Sequence, residues 1–272
     1  MAHGEKRRPR FVDMDTPSVA RMYDWLLGGS ANYASDRDAC HRLLRIAPSS
    51  QQLARTNRAF LRRVVRVLVE EFGITQFIDH GSGLPTQDNV HEVAQQLNPE
   101  SRVVYVDNDP MVLAHGRTML DEDDKTLILD SDMRDTYRII EAAKTLLDWG
   151  KPVAGLFVSV LHCLADTEDE RDPAAVVQRV AAQLPPDSCM VICQLVSDNP
   201  EVRDGVTALM ETETHGRWGR VRRTSEVERF FDGMQIQPPG LVDVIDWRPE
   251  GEPSPKHLRP TDWVEWGGVA RT

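Results

Sequence analysis

The sequence is poor in the features that mark secreted, membrane-spanning and metal-binding proteins. Its 272 residues include only four cysteines, whose irregular spacing argues against a disulfide framework. The run without charge in the most apolar region, 152–165, is 14 residues long and is too short to cross a bilayer. Residues 1–10 carry charge with no apolar segment behind them, so we expect no signal peptide and a cytoplasmic protein. Because no Cys-x-x-Cys or His-x-x-x-His pair occurs, we predict no metal site.

An excess of positive charge is also absent. With 43 acidic against 32 basic residues, the formal net charge is −11, whereas proteins that coat nucleic acids or membrane surfaces need an excess of lysine and arginine. Residues 1–66 hold 13 basic and 6 acidic side chains, and residues 67–272 hold 19 basic and 37 acidic ones. We interpret residues 1–72 as a basic helical cap on an acidic domain, 73–272. We expect a small-molecule substrate rather than nucleic acid, and no membrane partner.

What is present is a regular succession of helix and strand patterns. Apolar residues recur every three or four positions over 53–72, which predicts a helix that Gly73 ends. The segment 16–48 has a helical pattern that Gly28-Gly29 interrupts, since two glycines readily stop a helix. Beyond Gly73, apolar strand patterns alternate with helices, three of which begin at Asp-Pro or Asn-Pro pairs. The predicted strands are 75–79, 102–106, 126–129, 153–160 and 189–196.

Apolar strands separated by helices predict an α/β protein with a doubly wound, mostly parallel sheet that is covered on both faces. A different connection follows near the C-terminus. The segments 235–237 and 241–247 are joined only by Pro238-Pro239-Gly240, which is too short for a crossover helix. We therefore predict that these two segments form an antiparallel hairpin at one edge of the sheet.

The first predicted strand runs into a glycine loop, Asp79-His80-Gly81-Ser82-Gly83. Gly81 and Gly83 permit a tight turn and the close approach of a ligand to the backbone, and in a doubly wound sheet this loop borders the ligand crevice. The next strand ends at Asp107-Asn108, where a carboxylate could accept both hydroxyls of a ribose. This arrangement fits any cofactor that contains a nucleoside.

Two features favour S-adenosylmethionine over a dinucleotide. A dinucleotide loop needs a third glycine in Gly-x-Gly-x-x-Gly, and Thr86 occupies that place here. The Asp79 carboxylate precedes the loop, where it suits an ammonium group and does not suit a diphosphate. After the third strand, Asp132 could accept from the adenine amino group while Met133 covers the ring; the alternative for Asp132 is a helix cap. Ser159 ends the fourth strand and could border the methionine part of the cofactor.

Together these motifs resemble those of the class I S-adenosylmethionine-dependent methyltransferases. The matching elements are Asp79-x-Gly81-x-Gly83, Asp107, Asp132-Met133 and Val160-Leu161-His162. The segments 23–29, 57–61 and 81–86 resemble more specifically the S-adenosyl methyltransferase family that was long described as a domain of unknown function. His80 departs from the general class, which more often has a small or aliphatic residue there. The resemblance covers nearly the whole chain. It implies a seven-strand Rossmann-like fold with S-adenosyl-L-methionine as cofactor, and it implies no particular substrate.

Several candidate residues have two interpretations. His162 could be a base that removes a substrate proton, because histidine titrates near neutral pH, or it could be a packing residue. Asn57 and Arg58 could hold the cofactor carboxylate or a substrate oxygen; the alternative is a solvated basic helix face.

The residues that flank Gly28-Gly29 could line a lid over the cofactor, with the glycines as a hinge. They are Tyr23, Asn32 and Tyr33. Otherwise Tyr23 is a core aromatic residue and Asn32 a turn residue. Four arginines surround Trp218, a pattern that could indicate RNA contact, but the glutamates that follow favour an exposed connector.

The expected function is methyl transfer to an unidentified, small O-, N- or C-acceptor. A sulfonium already activates its methyl group, so the protein mainly has to hold the nucleophile in line with it. One alternative is a non-catalytic S-adenosylmethionine sensor or scaffold, because the sequence shows no evident acid–base pair or triad. The other is an NAD-dependent oxidoreductase, which the absence of the third glycine disfavours. A nucleic-acid methyltransferase is disfavoured because no Asn-Pro-Pro-Tyr or Asp-Pro-Pro-Tyr run ends the fourth strand.

Overall fold

One mixed sheet with helices packed on both faces organises the chain. The computed structural model describes residues 12–85, 88–120, 124–251 and 261–272. The α-helices are α1 (Val19–Leu26), α2 (Ala34–Ile46), α3 (Ser50–Glu70), α4 (Val90–Leu97), α5 (Pro110–Leu120), α6 (Thr136–Ala143), α7 (Pro173–Ala181) and α8 (Pro200–Glu213). The strands are β1 (Gln76–His80), β2 (Arg102–Asp107), β3 (Thr126–Asp130), β4 (Ala154–Val158), β5 (Cys189–Val196), β6 (Gln235–Ile236), β7 (Val242–Asp243) and β8 (Val264–Arg271).

Parallel strands form most of the sheet. The strand order is β3-β2-β1-β4-β5-β8-β6, with β7 also paired to β8, and β1 to β5 run parallel to one another. The chain builds the sheet outward in one direction from β1 to β3 and then in the other direction from β4. In such sheets a ligand binds beyond the carboxyl ends of the strands at the point of reversal, which here lies between β1 and β4. The predicted mostly parallel α/β sheet with an antiparallel edge is confirmed.

The predicted hairpin is wrong in its strand pairing. β6 and β7 each pair antiparallel with β8: Gln235 lies opposite Arg271, and Val242 lies opposite Gly267. The segments 235–237 and 241–247 are therefore two pieces of one edge strand on the same side of β8, and the prolines between them interrupt that strand instead of turning it. Counted in this way, the described sheet has the seven strands that the resemblance implies.

The antiparallel partner, β8, was missing from the predicted strands. It pairs along the whole of β5, from Val196 opposite Val264 to Cys189 opposite Arg271. Its Gly267-Gly268 pair has the composition of a turn. The structure requires glycine here for another reason, because a Cβ on Gly267 would clash with the Ile192 carbonyl oxygen of β5.

The helix predictions agree with the observed ends. α3 spans 50–70 where 53–72 was predicted, and the chain leaves it through Gly73 at a φ of 68°, as expected of a glycine after a helix. Asp172 and Asn199 cap α7 and α8 by accepting from Ala174 N and Glu201 N. α1 and α2 are separated by the turn at Gly28-Gly29, where the pattern predicted an interruption.

Two separate apolar clusters contain the N-terminal helices. One side of α3 packs with α4 on the sheet, where Phe60, Val64 and Leu68 are fully buried. α1 and α2 belong with α8 to a second cluster beside the carboxyl end of β5, centred on residues such as Met22 and Met210. The division at residue 72 stays a prediction, and α3 is the N-terminal helix that shares the core of the sheet.

Candidate functional site

A cavity of about 720 Å³ opens beyond the carboxyl ends of the parallel strands, within the range of about 300–1,000 Å³ that is typical of small-molecule sites. Its lining falls into two parts, which we call the strand-end half and the helical half. The strand-end half is polar and comprises the loop 81–83 with Asp79, Asp107 and their neighbours. The helical half is apolar and is formed by α1, α2, α3 and α8 with Trp218 and Trp263.

Asp79 and the glycine loop form one wall of the strand-end half. Asp79 is 7% exposed, and burial raises its pKa to about 7, against the opposing effect of the nearby Arg58 guanidinium. Gly81 has a φ of 71° and lies so close to Val160 that a Cβ would clash with that side chain. Gly83 has a φ of 67°, and a Cβ there would meet nothing within 4 Å. The loop therefore presents bare backbone to the cavity.

Asp107 is fixed by backbone amides on both sides. Its Oδ2 accepts from Gly83 N at 2.9 Å and its Oδ1 accepts from Asp109 N at 2.9 Å. Burial raises the pKa of Asp107 to about 6, although these amides lower it. A carboxylate oxygen has more than one acceptor position, so both oxygens can still accept from the hydroxyls of a diol. Asn108, the next residue, also lines the cavity.

α3 brings Asn57 and Arg58 to the cavity wall. Asn57 is 4% exposed; its Nδ2 donates to Tyr23 Oη at 3.0 Å, and its Oδ1 accepts from Cys193 Sγ at 3.5 Å. Arg58 donates to the Asp88 carbonyl at 3.0 Å. Because Arg58 is close enough to Asp79 to lower the pKa of its carboxyl, the strand-end half presents charges of both signs.

A buried carboxylate that the sequence analysis missed lies behind the cavity wall. Glu265 of β8 is 1% exposed, and Ser159 Oγ donates a short hydrogen bond to its Oε1. Ser159 lines the cavity at a φ of 56°, which is uncommon for a residue with a side chain. Burial raises the pKa of Glu265 to about 8. Glu265 also contacts Cys193, so a buried polar chain runs from Ser159 to Asn57.

His162 lies in the cavity wall but has the environment of a packing residue. It is 2% exposed, its ring is tilted against Trp218 at a centroid distance of 4.8 Å, and its Nδ1 accepts from Leu195 N at 3.5 Å. Burial, together with the charge of Arg222, lowers the pKa of His162 to about 3. A general base is most efficient when its pKa is near the working pH, so this geometry favours the packing interpretation.

Three predicted site residues do not line the cavity. Asp132 is held by Arg134, whose Nε and Nη2 donate at 2.9 and 2.6 Å, and its Oδ1 also accepts from Arg134 N at 2.9 Å. Asn32 donates to Asp24 Oδ2 at 2.9 Å and to the Gly29 carbonyl at 3.0 Å, which is the turn-residue alternative. Tyr33 immediately precedes α2 as its N-cap, and Arg21 lies over its ring. The remaining candidates, Met133 and Tyr23 among them, do line the cavity.

Trp218 was predicted to belong to an exposed connector, and this prediction is wrong. Trp218 is 7% exposed and lines the helical half. The neighbouring Arg222 is fully buried and donates to Asp166 Oδ1 at 2.6 Å and to the carbonyls of Leu161 and Leu164. The arginines of this segment therefore include a structural ion pair, and its tryptophan belongs to the cavity.

The strand-end half matches the chemistry of S-adenosylmethionine. Two carboxylates, the partly buried Asp107 and the buried Asp79, suit a ribose diol and an ammonium group, and Arg58 suits a carboxylate. A dinucleotide would bring a diphosphate to the glycine loop beside Asp79, and diphosphate sites depend on a helix N-terminus after that loop. The next helix, α4, begins at Val90 with its own capping box from Asn89 and Glu92.

The described ranges 12–85, 88–120, 124–251 and 261–272 contain neither a membrane-spanning helix nor a cluster of metal ligands. No helix there is both long and apolar enough to span a membrane. No group of three or more histidine, cysteine, aspartate or glutamate side chains within the same residues could hold a metal ion.

Comparison with known proteins identifies the family. Residues 5–272 match the family model described as S-adenosyl methyltransferase. A candidate methyltransferase of Thermobifida fusca YX is 36% identical with a TM-score of 0.87, over 96% of this chain and 96% of that one. A DUF574 family protein of Streptomyces avermitilis MA-4680 is 33% identical with a TM-score of 0.86, over 96% of this chain and 99% of that one.

More distant structures agree on the fold. The mitomycin 7-O-methyltransferase MmcR is 14% identical with a TM-score of 0.50, over 92% of this chain and 71% of that chain. No curated protein sequence matches this chain. The match over nearly the whole sequence and the two structures above 30% identity agree with the cavity beyond the strand ends, and the chain belongs to the S-adenosyl methyltransferase family.

Proposed function

We propose that the protein binds S-adenosylmethionine in the strand-end half of the cavity and transfers its methyl group to a small molecule in the helical half. The observation that carries the proposal is the pair of carboxylates beside the bare backbone of the loop 81–83, the buried Asp79 and the partly buried Asp107. Family membership supports the same conclusion. Among the described residues, all four cysteines are unpaired thiols, which supports a reducing, cytoplasmic setting.

Four side chains of the strand-end half have a binding role in this proposal. Asp107, already oriented by Gly83 N and Asp109 N, would accept from the two ribose hydroxyls. Asp79 would face the ammonium group, and Arg58 the carboxylate, of the methionine part. Met133 lines the same half and would cover one face of the adenine. The bound cofactor would supply a methyl group activated by its sulfonium.

The other contributions of the protein to methyl transfer are positioning of the acceptor and exclusion of water. In-line displacement needs the nucleophile held at contact distance from the methyl carbon, and orientation alone lowers such barriers by a large amount. The apolar wall of the helical half would keep water away from that contact. Ser159 stands in the cavity wall with its hydroxyl bonded to Glu265, where the acceptor could be oriented.

Each half of the cavity separates this function from one of the two alternatives: the helical half from a sensor and the strand-end half from an oxidoreductase. A protein that only senses the cofactor needs no second compartment continuous with the first, whereas an acceptor does. An NAD-dependent oxidoreductase would have to place a diphosphate at the glycine loop beside Asp79, where like charge opposes it.

Methyl transfer is tested by incubating the full-length protein with methyl-labelled S-adenosylmethionine and a fractionated small-molecule extract. We expect label in a fraction other than the cofactor, and none with Asp107→Ala under the same conditions. The matched control is Asp130→Asn, because Asp130 ends β3 opposite Asp107 in the strand register. If the labelled cofactor binds and no fraction of any extract becomes labelled, the sensor alternative is favoured.

A further inference from the structure

The helical half of the cavity lies inside the second apolar cluster. That cluster supplies most of the wall, including Met22, Leu26, Leu53, Met210, Trp218 and Trp263. Protein interiors are normally close-packed with few voids larger than a water molecule, and an apolar cavity destabilises a fold roughly in proportion to its volume. A large hollow within an apolar cluster is therefore best explained by a ligand that fills it.

The hydroxyl groups in this wall already donate to backbone carbonyls, whereas the indole N–H groups of Trp218 and Trp263 are buried without a hydrogen-bond partner among the described residues. Ser50 Oγ donates to the Ala47 carbonyl at 2.5 Å, Thr214 Oγ1 to the Met210 carbonyl at 2.7 Å, and Tyr23 Oη to the Ala54 carbonyl at 3.1 Å. A ligand with many hydroxyl or amide groups would lose its hydrogen bonds to water here and regain few of them, which costs free energy for every unpaired group.

Charge is confined to the edges of the cavity. The acids in its lining are Asp79, Asp107 and Asp109, all at the strand-end half. Among the described residues of the helical half, the charge belongs to Arg217, whose side chain is 66% exposed and lies 3.8 Å from Asp13. With no carboxylate in this half, a cationic ligand would be desolvated without a counter-charge.

We propose that the methyl acceptor is an uncharged molecule with an apolar ring system, and that this ring system occupies the helical half. This inference rests on the proposed function, because it requires an acceptor that reaches from the helical half toward a cofactor in the strand-end half. The two tryptophans and two methionines named above suit flat rings, since indole faces stack on them and thioethers pack against their edges. The single polar group of the acceptor, its nucleophile, would point toward Ser159.

The proposal is tested with two naphthalenes that differ in charge. Full-length protein saturated with S-adenosylhomocysteine is titrated by calorimetry with 2-naphthol, which is neutral, and with 2-(aminomethyl)naphthalene, which is a cation at pH 7. We expect 2-naphthol to bind about tenfold or more tightly than the cation, because the cation is buried without a partner. The proposal is overturned if the cation binds as tightly as the naphthol, or if neither binds.

Two variants locate the binding. Met210→Glu places a carboxylate in the helical half and should weaken 2-naphthol by about tenfold or more, while Ala208→Glu, at an exposed position of the same helix, should leave it unchanged. If Met210→Glu fails to fold, Val206→Phe decides, because Val206 is fully buried and lines the cavity and a phenyl group there would occupy the space. Wild-type affinity for 2-naphthol in either folded variant contradicts the proposal.

The same titrations keep the two proposals apart. Binding of S-adenosylhomocysteine is measured first for every protein and depends on the strand-end half. If the cofactor product fails to bind wild-type protein while 2-naphthol binds, the proposed function fails and the apolar site stands. If the product binds and 2-naphthol does not, the acceptor class is wrong and the cofactor site stands.

Discussion

The strand-end half and the helical half of the cavity are built by different means. Asp79 and Asp107 end adjacent parallel strands, and the strand register brings their carboxylates to the same edge of the sheet. The helical half takes its side chains from four separate helices together with Trp218 and Trp263, whose positions depend on how the helices pack. Polar groups fixed by backbone geometry can therefore hold a cofactor common to many enzymes. The packed side chains of the helical half determine which second molecule can bind beside that cofactor.

The largest expected effect is a loss of cofactor affinity caused by a change in the strand-end half alone. Asp107→Ala removes the acceptor for a ribose diol, and because hydrogen bonds to a charged group each contribute about 1.5–3 kcal/mol, affinity for S-adenosylhomocysteine should fall about 100-fold or more. Affinity for 2-naphthol should change little, since the two halves use different residues. Calorimetry measures both values, with Asp130→Asn as the control. Unchanged affinity for the cofactor product would refute the assignment of Asp107.

The next effect uses pH to separate the two halves. The pKa values of Asp79 and Asp107 are raised to about 7 and about 6 by burial, and a cationic ligand needs these groups ionised. Below both values binding must expel two protons, and between them one. Affinity for S-adenosylmethionine should therefore rise by about 50-fold between pH 5 and 6 and by about tenfold between pH 6 and 7.

Asp79→Asn serves as the control for this dependence, because it should reduce the slope between pH 6 and 7. Affinity for 2-naphthol should be constant over the same range, since the helical half contains no acid among its described residues. A cofactor affinity that is independent of pH from 5 to 7 would exclude ionisation of these aspartates on binding.

A smaller effect concerns Glu265, which lies behind Ser159. The pKa of Glu265 is raised by burial to about 8 from an ordinary value of 4.5, so the folded state binds its proton more tightly than the unfolded state does. That contribution to stability is fully present below pH 4.5 and is lost as pH rises through about 8. Glu265→Gln should therefore make the thermal unfolding temperature fall less between pH 5 and 8 than in the wild type. If the unfolding temperatures of the two proteins changed equally with pH, the raised pKa of Glu265 would be contradicted.

The smallest effect is expected at Asp132. Its carboxylate is paired with the Arg134 guanidinium at 2.6 Å and does not line the cavity, and partly exposed pairs of this kind contribute at most about 1 kcal/mol. Asp132→Asn should consequently change affinity for S-adenosylhomocysteine by less than about fivefold. A loss comparable to that of Asp107→Ala would show that Asp132 turns toward the adenine when the cofactor binds.

The same contrast explains what the sequence could predict. Asp79, Gly81, Gly83 and Asp107 follow from the alternation of strands and helices, because each stands at a strand end whose place in the sheet the alternation determines. Trp218 could not be placed, since it lies outside any periodic segment and its burial depends on contact with α8 and His162.

Glu265 was missed for a related reason. It belongs to β8, whose paired glycines have the composition of a turn and whose strand conformation depends on close contact with β5. The hairpin prediction failed with it, because a two-residue piece such as β6 has too little pattern of its own to show which strand it pairs with.

The most direct test of the cofactor site is a calorimetric titration of the full-length protein with S-adenosylmethionine and with NAD at pH 7. We expect S-adenosylmethionine to bind at one site per chain and Asp107→Ala to weaken that binding about 100-fold or more, while NAD gives no measurable heat. Binding of NAD with no binding of S-adenosylmethionine would contradict the assignment of the strand-end half and would reverse the choice of cofactor.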